Sequence, residues 1–276
     1  MKTIHTLKKV SLATFLTFVL SFSSVFAQND TMYIMKSGAI VGQYNVNTEV
    51  DSVIFYKPTI EETTSGTFID SRDGNEYNWV QIGNQVWMAE NLAYLPRVNR
   101  VAAGSEDAAG SYYYVYGYDG TNVTDAKATD NYTTYGVLYN WTAAMNGEAS
   151  STTNPSGIQG VCPAGWHLPS DAEWTELTDY LGGTSVAGGK LKETGTTHWA
   201  SPNAGATNET GFTALPGGLR YNNGSFYNIG NHGYWWSAAE NYAVSAWYRY
   251  MYYNNSGVSR GNDNKELGFS VRCLRD

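Results

Sequence analysis

The sequence has few charged residues, and this shortage excludes several classes of protein. Lys, Arg, Asp and Glu make up 15% of the 276 residues, whereas an average soluble domain has about 25%. So low a charged fraction disfavours a coiled coil or a helical bundle. The 25 acidic side chains outnumber the 17 basic ones, so the clustered Lys and Arg side chains that bind nucleic acid are missing and no such partner is expected.

Long apolar runs are also scarce. Beyond residue 27 no stretch has the ~20 apolar residues that a membrane-spanning helix needs. The chain has instead 29 Gly, 22 Tyr and 9 Trp. Many glycines and aromatic residues with few charges predict short strands joined by tight turns. The hydrophobic share of 42% is too high for a disordered chain.

Residues 1–27 have the three parts of a secretory signal peptide. A start with three lysines precedes a mostly apolar run over 10–22, and small residues precede a cleavage site at Ala27. A membrane anchor is the alternative, but the run is shorter than the ~20 residues of a spanning helix, and Ser and Thr interrupt it. We therefore expect export to the periplasm, the cell surface or the extracellular space. The cleavage point has no cysteine, so a lipoprotein is not expected.

The chain has two cysteines, Cys162 and Cys273. In an exported chain such a pair most simply forms one disulfide. The chain-entropy model assigns a closed loop of ~100 residues roughly 4.7 kcal/mol of stabilisation, as an upper estimate. The alternative is a reactive or metal-binding thiol pair, but the paired histidine spacing of such sites is missing.

Composition divides the rest of the chain into three parts. Residues 28–60 predict a short β-hairpin-like segment, and about thirty residues cannot bury much core. The polar run over 61–66 predicts a linker. Turn signals are dense over 67–276, which we expect to form one domain.

Local signals place the elements of this domain. Asp73-Gly74 and Gly83-Asn84 predict two β-hairpins. Apolar residues at helical spacing predict a helix over 137–145, and a capping box over 170–173 predicts the start of a second helix that ends at Gly182-Gly183. Strands are predicted over 212–215, 219–221, 225–227, 234–237, 246–253 and 268–273.

The residues that could carry chemistry are scattered. His167, His198 and His232 stand far apart, and no Gly-x-Ser-x-Gly, His-Glu-x-x-His or Cys-x-x-Cys motif occurs. We therefore expect no enzyme, no catalytic residue, no cofactor and no metal site. Calcium is an alternative in two stretches, although an ordinary Asx turn is favoured in the first and a solvated loop in the second. The first holds Asp70, Asp73, Asn75 and Glu76, and the second holds Asn262, Asp263, Asn264 and Glu266.

The aromatic residues are better candidates for binding, because Tyr and Trp rings offer large, rigid contact areas with a polar edge. In a strand over 246–253 one row of side chains faces one way and a second row the other, so that one row can be core and one surface. One ring of Trp235-Trp236 is likewise expected to be buried and the other exposed. The alternative is that all these rings fill the core. The first row is Trp247, Arg249, Met251 and Tyr253, and the second row is Tyr248, Tyr250 and Tyr252. The candidate ligand-binding residues are Trp235, Trp236, Trp247, Tyr248, Tyr250, Tyr252 and Tyr253.

Six motifs follow one another along residues 67–276. They begin at Val80, Tyr135, Cys162, Gly211, Tyr234 and Gly268, and read VQIGNQVWMAENL, YGVLYNW, CPAGWHLPSDAEW, GFTALPGG, YWWS and GFSVRC. Their order resembles the Fibrobacter succinogenes major paralogous domain, an exported module abundant in Bacteroidetes and Fibrobacteres. Residues 50–55 also resemble the end of a short β element found ahead of such modules.

The resemblance implies an α+β fold of the C-type-lectin and sulfatase-modifying-factor (formylglycine-generating-enzyme) type. Such a domain has short strands, about two helices and long turn-rich loops, here behind a small N-terminal β segment. It also implies a bridge from Cys162 to Cys273, because the outer disulfide of lectin-like domains joins the first helix to the last strand. The generating enzymes use a pair of cysteines near the C-terminus, where this chain has only Cys273, so their activity is not expected.

Together these observations predict an exported, non-catalytic binding or adhesion module whose ligand is a glycan or a cell-surface protein. The alternative is a structural or assembly component of a cell-surface complex, in which the N-terminal β segment pairs with a partner. A third hypothesis, an unrecognised enzyme, would need a deep pocket with converging polar side chains.

Overall fold

A computed structural model describes residues 31–36, 39–45, 64–104 and 107–276. The predicted signal peptide lies outside the described residues, and so do residues 46–63, which include half of the predicted linker. The chain divides into two compact units, Met1–Glu61 and Glu62–Asp276. Within the described residues no helix has the length and apolar character needed to cross a bilayer.

The described residues of the first unit form one antiparallel hairpin. β1 (Thr31–Lys36) pairs with β2 (Ala39–Asn45), and the register shifts between Ile34 and Met35. Several large apolar side chains of this hairpin are exposed, which is unusual for a two-stranded sheet that must be stable in water. They are Ile34, Ile40, Val41 and Tyr44.

The second unit consists mostly of short strands. They are β3 (Ser65–Ile69), β4 (Glu76–Ile82), β5 (Gln85–Met88), β6 (Tyr113–Tyr114), β7 (Leu138–Tyr139), β8 (Trp166–His167), β9 (Gly217–Arg220), β10 (Phe226–Ile229), β11 (His232–Tyr242), β12 (Ser245–Tyr252), β13 (Val258–Asn264) and β14 (Leu274–Arg275). The largest sheet has the order β3-β4-β5-β14-β8, and the smaller ones are β11-β12-β13, β9-β10 and β6-β7. Both predicted hairpins are present, and β3 starts inside the predicted linker, at Ser65.

Five helices occur among the described residues, not the two expected. They are α1 (Val123–Lys127), α2 (Asp130–Tyr135), α3 (Trp141–Met145), α4 (Asp171–Tyr180) and α5 (Ala187–Leu191). The missed helices α1, α2 and α5 have five or six residues, too few for an apolar period to show. Strands with these helices make the fold α+β, as predicted.

α3 and α4 were predicted from local signals, and one boundary was wrong. α3 starts at Trp141 instead of residue 137, because Leu138 and Tyr139 pair as a strand with β6 and the Asn140 side chain caps the helix. α4 starts with the predicted capping box, in which Ser170 and Glu173 bond reciprocally. Helix propensity at 137–139 is therefore overridden by strand pairing.

Two late stretches predicted as strands make only single bridges. Ala214 bridges Lys192, and residues 268–270 bridge three different partners: Arg220 of β9, Tyr139 of β7 and Trp235 of β11. A segment that meets three strands once each cannot form a ladder with any of them. The stretch 268–273 is therefore a central connector of the fold, and its last residue is joined to Cys162 by the predicted disulfide, with a Cα–Cα distance of 6.0 Å.

Two clusters of buried apolar side chains form the core, and β11 lies between them. Trp236 and Phe269 belong to the first cluster, whereas Trp235 and Trp174 belong to the second. Successive side chains of a strand point to opposite faces. Because both faces of β11 are covered, both tryptophans of this strand are buried.

Candidate functional site

Four of the six motifs meet inside the molecule, at Asn91. Its Oδ1 accepts hydrogen bonds from Arg272 Nη2 and Trp235 Nε1, each at 2.8 Å. Its Nδ2 donates to Ser270 Oγ at 3.3 Å and to the Tyr135 carbonyl at 3.1 Å. Arg272 is fully buried, and burial lowers its pKa to about 9. These motif residues therefore build the interior of the domain.

His167 is buried between two carboxylates. Its Nε2 lies 2.8 Å from Glu173 Oε1 and its Nδ1 lies 2.7 Å from Asp276 Oδ1. Burial lowers the pKa of His167, but the two carboxylates outweigh burial and raise it above its ordinary value. Glu173 Oε2 also accepts from the Ser170 and Ser156 N–H groups. The imidazole thus ties α4 to the last residue.

The three histidines are not brought together. His198 Nδ1 lies 2.9 Å from the Glu193 carboxylate, and both ring nitrogens of His232 are buried without a hydrogen-bond partner. No group of three or more His, Cys, Asp or Glu side chains in the described ranges is placed to hold a metal ion.

The two calcium alternatives have ordinary structures. Asp70 pairs with Arg72 at 2.7 Å, and Asp73 Oδ1 accepts from the Asn75 N–H at 3.1 Å, which is the Asx turn favoured from the sequence. The second stretch was expected to be a loop, but residues 262–264 belong to β13. Asn and Asp are rare in strands, so the composition of residues 262–264 does not predict a strand.

The expectation that one ring of Trp235-Trp236 is exposed is wrong. Both side chains are 0% exposed. Trp235 packs 6.4 Å from Trp174 between ring centroids, and Trp236 packs 4.3 Å from Phe269 on the opposite face of β11. The two rings have no surface that a ligand could touch in this structure.

Trp247 is half-buried, but one face of its ring is occupied. The Arg260 guanidinium lies 3.2 Å from the ring centroid, and its Nε donates to Asp171 Oδ1 at 2.9 Å. Arg249, on the same row of β12, is buried and bonds to Asp171 as well. Tyr253 packs against the second core cluster. Arg249 of this row therefore connects β12 to α4 through Asp171.

The opposite row of β12 carries Tyr248, Tyr250 and Tyr252, and with Tyr234 of β11 these residues form what we call the tyrosine face. Ring centroids are 5.5 Å apart for Tyr248–Tyr250, 5.5 Å for Tyr250–Tyr252 and 6.0 Å for Tyr234–Tyr250. The three tyrosines of β12 are half-buried, and Tyr234 is buried. The two rows thus face opposite ways, as the strand pattern predicts.

β13 leaves room for the tyrosine face. Gly261 lies opposite Tyr248, and a Cβ atom on this glycine would lie 2.6 Å from the Tyr248 ring. Phe269 of the first core cluster packs against Tyr248 and Tyr234, with ring-centroid distances of 4.8 Å and 5.1 Å. Neither Gly261 nor Phe269 is among the candidate residues expected from the sequence. Only the register of β13 and the path of the 268–270 connector place them here.

Two residues of the tyrosine face, Tyr234 and Tyr248, have raised pKa values, so their hydroxyl groups stay protonated at neutral pH. Burial raises the pKa of Tyr234 to about 12. Burial also raises the pKa of Tyr248, and the nearby Asp263 carboxylate raises it further. Each protonated hydroxyl can donate one hydrogen bond and accept others. The face therefore combines aromatic contact area, hydroxyl groups and one carboxylate at its edge.

The protein is an α+β domain with one disulfide, and four of its six motifs meet in the core. The model of the Fibrobacter succinogenes major domain family matches residues 80–275. The chain belongs to this family. No curated protein and no solved structure matches it.

Proposed function

We propose that the chain is an exported, non-catalytic binding or adhesion module whose ligand is a glycan. The tyrosine face is the observation that carries this proposal. Sugar rings present apolar C–H faces and a rim of hydroxyl groups, and half-exposed tyrosines offer a ring surface and a hydrogen-bonding edge at once. Asp263 lies two residues from Gly261 on the same face of β13 and supplies an additional acceptor.

The proposal includes a finer fold assignment and a location. We propose a C-type-lectin-like arrangement, supported by the bond between Cys162 and the end of the chain, Cys273. Residues 1–27, which have the composition of a signal peptide, support export to the cell surface, the periplasm or the extracellular space. A disulfide is also typical of an oxidising compartment.

A glycan array tests the proposed function. The protein should bind at least one glycan class, and Tyr250→Ala should weaken that binding by about tenfold or more, because an aromatic anchor carries a large share of such an interaction. Tyr242→Ala is the matched control, since Tyr242 lies at the far end of β11 and is 72% exposed. Absence of binding to the array, or an equal loss in both variants, would contradict the proposal.

An assembly role is a second candidate function, favoured by the exposed apolar side chains of the β1–β2 hairpin. Such a hairpin can add a strand to a partner sheet. Deleting residues 28–61 tests this role and leaves β3 intact, because β3 starts at Ser65. Loss of assembly with retained glycan binding would assign the two roles to separate parts of the chain. Unchanged assembly would exclude a role of the hairpin in assembly.

A further inference from the structure

A cleft of about 620 Å³ has a lining that includes none of the residues of the tyrosine face. Two arginines and two tyrosines, Arg72, Arg97, Tyr94 and Tyr113, line this arginine cleft, together with the amide side chains of Asn146 and Gln159. Two cationic side chains directed to one cleft are unusual in a chain with 25 acidic and 17 basic residues. Their guanidinium groups can donate charge-assisted hydrogen bonds to an anionic ligand.

The guanidinium of Arg72 is held in place and still has N–H groups to offer. It lies 3.9 Å from the Tyr94 ring centroid, and its Nε and Nη2 bond to the Asp70 carboxylate while its Nη1 donates to the Val161 carbonyl at 2.9 Å. These bonds use three of the five N–H groups of the side chain, which leaves two for a ligand. A pre-positioned guanidinium loses little entropy on binding.

Arg97 supplies the second positive charge. Its Nη2 donates to the Ser111 carbonyl, and its guanidinium lies 5.3 Å from the Tyr113 ring centroid. Among the described residues no ion pair includes this side chain. A carboxylate entering the cleft would therefore meet a cation that these residues do not neutralise.

The nearby carboxylates are placed so that an anion can still enter. Asp70 pairs with Arg72, but its side chain is 0% exposed and does not line the cleft. Glu148 Oε1 accepts from the N–H of Gly160, a lining residue, at 2.8 Å, which puts one exposed carboxylate at the rim. The cleft therefore favours a single carboxylate over a highly charged anion such as a phosphate group.

We propose that the arginine cleft binds the carboxylate of an acidic sugar, a uronic acid residue of a glycan. The two guanidinium groups match the carboxylate. The amide groups of Asn146 and Gln159 and the tyrosine hydroxyls match sugar hydroxyls. The site shares no residue with the tyrosine face, so it does not depend on the function proposed there.

Titration by NMR with sodium glucuronate tests this proposal on the intact protein. Signals of cleft residues should shift with a saturable, millimolar dissociation constant, and glucose should cause no such shift. Arg97→Gln should weaken glucuronate binding about tenfold, because it removes a charge-assisted hydrogen bond. Glu148→Gln should strengthen the binding, since the amide keeps the bond to Gly160 and removes the repulsion.

Two controls make the test decisive. Arg100→Gln removes an exposed positive charge three residues away, outside the cleft, and should leave glucuronate binding unchanged. Tyr250→Ala should also leave it unchanged, which separates this site from the tyrosine face. Equal binding by Arg97→Gln and the native protein would overturn the proposal. Equal binding of N-acetylglycine and glucuronate would overturn its assignment to a sugar.

Discussion

Two buried histidines have pKa values that are shifted in opposite directions, because one lies between two carboxylates and the other has no hydrogen-bond partner. His167 lies between two carboxylates. His232 stacks on Tyr234 at 5.5 Å and meets the Tyr252 ring edge-on, with a centroid distance of 3.6 Å. Nothing in the neighbourhood of these two residues in the sequence distinguishes a paired histidine from an unpaired one. Their titration is therefore a property of the tertiary structure.

His232 should make the protein sensitive to acid. Burial lowers its folded-state pKa below the ordinary value of 6.5. Below about pH 6.5 His232 binds a proton in the unfolded state but not in the folded state. The free energy of unfolding therefore falls as the pH falls towards the folded-state pKa. We expect His232→Phe to remove this loss. Urea unfolding of both proteins between about pH 7 and pH 5 measures it, and parallel pH profiles would contradict the prediction.

His167 should have the opposite effect. Its folded-state pKa is raised, so its stabilisation is fully present below the unfolded value of about 6.5 and is lost as the pH rises through the folded pKa. We expect His167→Gln to lower the free energy of unfolding by about 2 kcal/mol near pH 6 and by less at alkaline pH. Chemical denaturation at both pH values checks this, with His198→Gln as the control. A loss of unfolding free energy in His167→Gln that grows with pH would contradict the raised pKa of His167.

At the scale of elements, α4 shows what local signals can specify. Its capping box satisfies two backbone N–H groups through neighbouring residues, so the helix start could be predicted without the fold. α5 could not be predicted. It contains Gly188, and a Cβ atom there would lie 2.1 Å from the Gly257 carbonyl oxygen. Glycine is required for this close approach although it disfavours a helix.

Removing the cap of α4 should destabilise the domain. We expect Ser170→Ala to lower the free energy of unfolding by about 1 kcal/mol, because the Glu173 N–H loses its acceptor at 3.1 Å. Asn122→Ala removes the corresponding cap of α1, a five-residue helix with one buried side chain, and should cost less. Thermal unfolding of the two variants provides the comparison. A larger loss from Asn122→Ala would show that α1 is the more important element.

At the scale of the whole molecule, one covalent bond closes a long loop. Cys162 and Cys273 are 111 residues apart in sequence, and the described residues include no free cysteine. Around this bond the 268–270 connector touches β7, β9 and β11 once each. The domain therefore depends on contacts between residues that are distant in sequence.

The disulfide should contribute strongly to stability. The double variant Cys162→Ala, Cys273→Ala should unfold at lower urea concentration, with a loss of about 2–4 kcal/mol, since the open chain regains loop entropy. Alkylation and mass spectrometry of the non-reduced native protein should find no free thiol. Reducing agent should destabilise the native protein and leave the double variant unchanged. Free thiols at both positions in the folded protein would exclude the bond.

Part of the tyrosine face could be predicted as well. The alternation of residues 246–253 separates Tyr248, Tyr250 and Tyr252 from Trp247, and the structure has these rows on opposite faces of β12. The arginine cleft could not be predicted, because Arg72 and Arg97 are 25 positions apart and only the fold directs both to one cavity. Residue spacing carries information over one element, not over such a distance.

The sequence by itself determined the hairpin turns, the start of α4, the disulfide and the family, because each depends on neighbouring residues, on the only two cysteines or on the order of motifs. Only the tertiary structure decided which aromatic rings are core. Alternation predicts that Trp235 and Trp236 point to opposite faces of β11, but it does not say what covers those faces. α4 packs on one side and Phe269 on the other, so both rings are buried, and the half-exposed tyrosines of β12 form the surface.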